Sequence, residues 1–143
     1  MDKRKLGTFD IETGEILDEG VAIYVGCKVK VTENFFMMFQ DALVELSKDR
    51  DLTGEHWRVL SYLFAKLDFE NLIQVTQSEI AKELNIQTSH VSRSIKVLTD
   101  KKIIIRGPNI GRSSSFRLNP YFGWKGKVSN LKEAQKRHLE LIK

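Results

Sequence analysis

Residues 76–118 read TQSEIAKELNIQTSHVSRSIKVLTDKKIIIRGPNIGRSSSFRL, and few folds accommodate that run. Thr76-Gln77-Ser78-Glu79 has the residue types of a capping box, in which a hydroxyl accepts from the third amide and the Glu reaches back to the cap. Ile80, Ala81 and Leu84 then share one helical face. Asn85 suits the left-handed residue that ends the helix, and Ile86 plugs the turn. A second helix is predicted from near Thr88 to about Lys101, with Val91, Ile95 and Leu98 facing inward at i, i+4 and i+7. Residues 103–106 are a strand. Gly107, Pro108, Asn109, Gly111, Arg112 and three serines form a turn-rich tip, and Phe116 begins the return strand.

Helix, tight turn, helix and hairpin in that order make a winged helix-turn-helix, an α+β fold. In that geometry the second helix enters a DNA major groove with its N-terminal residues at base edges. Gln87, Thr88, Ser89, His90, Ser92 and Arg93 are the residue types that task needs, since Arg pairs with guanine and Gln with adenine. Gln77 opens the preceding helix and joins the candidate set. Lys96, Lys101 and Lys102 lie further along, where phosphates are the expected contact. At the hairpin tip, Asn109, Arg112 and Ser113 (with Ser114) are placed to follow the minor groove or flanking phosphates.

Charge supports that reading. Residues 76–127 hold ten Lys and Arg against three acids, a local balance of +7 in a chain whose net charge is +4, so the remainder is acidic at −3. A basic segment in an acidic chain is the footprint of a phosphate-binding face. Trp124, Lys125 and Lys127 either extend that face or, for Trp124, pack against the domain.

The flanks predict additional elements. FDIETGEIL reads as a β-hairpin with Gly14 in the turn, and VAIYVGCKVKV as two β-rich pieces. Thr32 is a plausible cap for an amphipathic helix over 33–47, in which Phe35, Phe36, Phe39, Ala42, Leu43 and Leu46 step at helical spacing and Met37 and Met38 widen the stripe. Thr53 caps a helix over 54–67 carrying Trp57, Leu60, Leu63, Phe64 and Leu67. Asn71 precedes a short strand, LIQV. Asn119-Pro120 stops the hairpin, and a last helix starts near Asn130 with Leu131, Ala134, His138 and Leu141 on one stripe. The expected organisation is an N-terminal extended and hairpin segment (1–31), the winged helix-turn-helix (32–127) and a C-terminal helix (128–143). The two outer helices have apolar stripes that suit a two-fold homodimer.

Catalysis finds little support. The chain lacks a GxxxxGK phosphate loop, and its three histidines, His56, His90 and His138, are scattered in sequence, so neither a metal cluster nor a cofactor is called for. A DNA-nicking initiator would pair a tyrosine with a His-x-His motif, which is missing. The single Cys27 permits no intrachain disulfide and reads as a small core residue. Without an apolar run near the roughly 20 residues that span a membrane, or a signal-like start, the expected compartment is the cytoplasm.

FDIETGEIL, VTQSEIAKELNI, VSRSIKVLTDKKII and FRLNPYFGWKGK together resemble the RepL-type replication initiators of Gram-positive bacterial plasmids. That resemblance covers most of residues 8–127. It implies a non-catalytic initiator that binds double-stranded DNA at its plasmid's replication region and recruits host replication proteins. The helix-turn-helix part is shared with MarR-like repressors, and a winged-helix transcriptional regulator is the alternative.

Overall fold

A computed structural model describes Thr8–Phe9, Ile16–Asp18 and residues 34–142. The chain falls into two units, Met1–Asn34 and Phe35–Lys143. In the first, β1 (Thr8–Phe9) pairs antiparallel with β2 (Ile16–Asp18), so the expected hairpin strands are present. Gly14, Cys27, Thr32 and the β-rich pieces of 21–31 lie outside the described residues.

The second unit is a winged helix. Its elements are β3 (Met37–Met38), α1 (Gln40–Lys48), α2 (Gly54–Ala65), β4 (Leu72–Gln74), α3 (Gln77–Leu84), α4 (Thr88–Asp100), β5 (Ile104–Arg106), β6 (Ser115–Leu118), β7 (Gly123–Trp124) and α5 (Leu131–Leu141). Strands β4, β6 and β5 form an antiparallel sheet in that spatial order. Helices α2, α3 and α4 close over it around Val59, Leu60, Leu63, Ile73, Ile80, Ile95, Leu98, Ile104, Phe116 and Leu118, all essentially solvent-free. Burying each such side chain contributes roughly 1.5–3 kcal/mol.

The helix expected over 33–47 is shorter. Met37 and Met38 instead form β3, opposite Trp124 and Gly123, and Phe39 is extended (φ −84°, ψ 130°) before α1 begins at Gln40. The helical spacing of the aromatic residues is a local signal, whereas β3 is held by backbone pairing with a distant segment, which outweighs it. The pairing needs Gly123, because a Cβ there would sit 2.8 Å from the Met37 carbonyl oxygen. Phe36 still reaches the core, 5.3 Å from the Phe64 ring centroid; Phe35 does not and is exposed.

Two buried asparagines tie the wing's exit to the rest of the fold. Asn71 sits in the left-handed region (φ 63°). Its Nδ2 donates to the Leu118 (3.1 Å) and Gly123 (2.8 Å) carbonyls, and its Oδ1 accepts from the Lys125 amide (2.8 Å). Asn119 donates from Nδ2 to the Lys102 carbonyl (2.9 Å) and accepts at Oδ1 from the Tyr121 amide (2.9 Å). Its own amide donates to the Ile103 carbonyl (3.0 Å). Helix α5 docks on this exit: Gln135 Nε2 donates to the Pro120 carbonyl (3.2 Å), and the His138 ring meets Tyr121 edge-on at 6.1 Å between centroids.

Asn71→Ala should destabilise the protein by at least about 3 kcal/mol in urea unfolding, because it orphans three buried backbone groups. Asn71→Gly relieves the left-handed strain yet should keep most of that loss; full recovery with Gly would mean that the backbone angle, not the hydrogen bonds, matters. A second expectation concerns pH. Burial pushes the His138 imidazole below its ordinary 6.5, so the fold favours its neutral form. The resulting stability is complete above about pH 6.5 and is lost as pH falls through the lower folded value. Thermal melts between pH 8 and 5 should show a decline that His138→Gln reduces; equal declines in both proteins would contradict this.

Candidate nucleic-acid interface

Helix α3 starts as its sequence suggests, with the Thr76 hydroxyl accepting from the Glu79 amide at 3.1 Å. The reciprocal half of the capping box is absent: the Glu79 carboxylate instead meets the Tyr62 hydroxyl of α2 (3.4 Å) and Lys66 (3.5 Å), the residue that follows that helix. Asn85 ends α3 in the left-handed region (φ 53°, ψ 51°). The Asn85 amide donates to Lys82 and the Ile86 amide to Ala81, the two bonds of a Schellman motif. Arg58 of α2 donates to the Leu84 carbonyl at 2.7 Å, fixing the end of α3 against α2.

Helix α4 begins at Thr88 with Gln87 as its cap and buries Val91, Ser94, Ile95 and Leu98. Its other face is exposed. Ser89, Ser92, Arg93 and Lys96 fall at i, i+3, i+4 and i+7, one stripe along the helix, with exposed Thr88 and Gln87 at its N-terminal end. Gln77, the first residue of α3, is half-buried. The helix closes with a second Schellman motif, Lys102 amide to Thr99 and Ile103 amide to Leu98. Lys102 therefore takes the left-handed position (φ 58°) with its side chain exposed.

Two expected DNA contacts are engaged within the protein. The Lys101 ammonium lies 2.7 Å from Asp49 and 3.2 Å from Asp51, on the connector between α1 and α2. These carboxylates hold Lys101 above its usual range, and hydrogen bonding from Lys101 holds Asp49 below its own. Lys101 is thus a clamp on the end of α4, not a free cation for a phosphate. His90 is half-buried, its Nδ1 2.9 Å from the Glu55 carboxylate of α2. Nothing in the sequence spacing marked Asp49, Asp51 or Glu55 as their partners.

At the wing tip the Ile110 and Ser113 backbones bridge each other (3.0 and 3.1 Å), leaving Gly111 and Arg112 as a two-residue loop. Gly111 supplies the positive φ (62°) that a type II′ hairpin needs at its first central position. Asn109 and Arg112 are exposed, and Ser113 is half-buried. Below the tip, Ser115 Oγ donates to the Pro108 carbonyl. Arg106 lies 5.7 Å over the Phe116 ring.

The basic excess of residues 76–127 is spread over more than one face. Lys125 donates from Nζ to the Leu67 carbonyl (2.8 Å), and Arg117 from Nη1 to the Glu70 carbonyl (3.2 Å). Trp124 is buried, its Nε1 donating to the Lys127 carbonyl at 3.0 Å, so it packs in the domain instead of extending the face. Among the described residues no helix is long and apolar enough to cross a membrane.

A MarR family model matches residues 50–112, which span α2 through the wing tip. Among curated protein sequences, none matches. Solved structures similar to this chain include a Staphylococcus aureus MepR mutant bound to an oligodeoxyribonucleotide, at 25% identity and TM-score 0.41, covering 71% of this chain and 63% of that one. MepR, a transcription regulator of the S. aureus multidrug efflux pump MepA, matches at 26% and 0.41 over 71% and 65%. The reduced form of E. coli MarR matches at 19% and 0.41 over 71% and 65%. The chain thus covers a little under two thirds of each of these proteins. The family match over residues 50–112 is to the MarR model and not to RepL-type initiators, which overturns the plasmid-initiator resemblance. The FRLNPYFGWKGK motif that carried the resemblance has a structural explanation. Within it Gly123 and Trp124 pair with β3, the Gly123 carbonyl accepts from Asn71, and Asn119 ties the exit to the Lys102 carbonyl.

Proposed function

We propose that the protein is a winged-helix transcriptional regulator that acts by binding double-stranded DNA, without catalysis, in the cytoplasm. The single observation that carries this reading is the exposed stripe of α4, Ser89, Ser92, Arg93 and Lys96, within the stretch that matches the MarR family. In this reading α4 enters the major groove, with Gln87, Thr88 and Ser89 foremost. Arg93 reads guanine, Lys96 and Lys102 meet phosphates, and Arg112 with Asn109 and Ser113 follows the backbone beside the site. Gln77 at the start of α3 is placed for a flanking phosphate. His90 contributes only through the ring nitrogen that Glu55 leaves free.

The reading is tested by selecting bound duplexes from a random pool and then comparing transcripts in cells with and without the gene. Transcripts adjoining the selected sites should change; sites bound without any such change would remove the regulatory role. On the selected duplex, Arg93→Ala should cost about 1–3 kcal/mol and relax specificity. Lys96→Ala should weaken all sequences alike and flatten the salt slope by about one unit, whereas Lys101→Ala should leave that slope unchanged. A parental affinity and selectivity in Arg93→Ala, or a flattened slope in Lys101→Ala, would reassign the face.

A homodimer is part of the proposal. Leu43 and Val44 on α1, and Leu139, Leu141 and Ile142 at the end of α5, are exposed apolar side chains, of the kind a two-fold interface covers. Sedimentation should give a dimer that Leu139→Glu with Ile142→Glu dissociates; a parental monomer, free and on DNA, would remove it.

A further inference from the structure

We infer that Glu55 fixes which bases His90 reads, by holding its Nδ1 as the donor and so presenting a bare Nε2 to the exocyclic amine of adenine or cytosine. This rests on the reading of α4 as the groove helix. Glu55 lies in the first turn of α2, and His90 is in the first turn of α4. Glu55 Oε2 and His90 Nδ1 are 2.9 Å apart. An ionised carboxylate only accepts hydrogen bonds, so Nδ1 carries the proton. A neutral imidazole has one proton between its two nitrogens, which leaves Nε2 with a lone pair. The His90 side chain is still 40% exposed, and Nε2 meets no partner among the described residues.

Chemistry and position together define what that nitrogen can meet. His90 stands three residues before Arg93, at the edge of the exposed stripe and within the turn that a groove helix points at base edges. A lone pair is repelled by phosphate oxygens, by guanine O6 and N7, and by thymine O4. Adenine N6 and cytosine N4 are the major-groove donors from which it can accept. His90 therefore favours adenine or cytosine over guanine or thymine on the strand it faces. Glu55 need not touch DNA for this; it is a positioning residue that acts through His90. A contact that served only to hold α4 against α2 would be indifferent to which base lies opposite.

The test uses the full chain at about pH 8, where imidazoles are ordinarily neutral, and a duplex enriched from a random pool, with each base pair exchanged in turn for the other three. Nitrogen NMR of the free protein should show the His90 ring protonated on Nδ1 alone. At one position of the duplex, adenine or cytosine should bind about two- to tenfold more tightly than guanine or thymine, the ratio one net hydrogen bond provides. His90→Ala should erase that preference and Glu55→Ala should erase it too, while adding Glu55→Ala to His90→Ala should change base preference no further. A proton on Nε2, a guanine or thymine preference there, no position that responds to His90→Ala, or a preference that survives Glu55→Ala would each overturn the assignment. Those outcomes leave duplex enrichment intact; failure to enrich any duplex would instead remove the DNA reading itself, and this assignment with it. If Glu55→Ala fails to fold by circular dichroism, the proton position and base preference of the parent protein decide.

Discussion

The side chain of Asn71 is the constraint on which the placement of the wing depends. One buried amide uses two donors and one acceptor on three backbone groups, at Leu118, Gly123 and Lys125. Those groups flank the bend where the chain leaves the sheet. Only a residue tolerant of the left-handed region, with a short two-sided amide, meets both requirements. With that bend fixed, β7 is presented to β3 and the platform for α5 exists. Asn119 repeats the device, joining the same exit to Lys102, the left-handed residue just past α4.

The pose of α4 follows from how its two ends are held. Its start is set by the Schellman turn through Asn85 and by the His90–Glu55 contact with α2. Its end is set by the left-handed Lys102 and by the ion pairs of Lys101 with Asp49 and Asp51. Between them, Val91, Ile95 and Leu98 hold the inner face in the core, which leaves the Ser89–Lys96 stripe facing outward. A helix held at both ends can present side chains to a rigid groove with little loss of freedom on binding.

The helix-turn-helix was legible because its signals are local. Thr76, Asn85 and the i, i+4, i+7 apolar spacing act within a few residues of where they are read, and the structure agrees with each. What escaped the sequence depends on partners far along the chain. Residues 37–38 carry helical spacing but pair with Gly123 and Trp124. Lys101 looks like any basic residue at a helix end until Asp49 and Asp51 are brought to it. Lys125 and Arg117 count toward the basic segment although backbone carbonyls hold them elsewhere. The FRLNPYFGWKGK motif invited a functional reading because its packing role becomes visible only once Asn71 and β3 are in place.

The central claim is that α4 and the wing tip together form the DNA face. It is tested most directly by NMR of the full chain with a duplex selected from a random pool, recorded at low and at moderate salt. Backbone and side-chain signals of Ser89, Ser92, Arg93, Lys96 and Arg112 should shift with the duplex at both salts, while those of Asp49, Asp51 and Lys101 should stay in place. Shifts confined to α1 and α5, or no salt-resistant shift on α4, would contradict it.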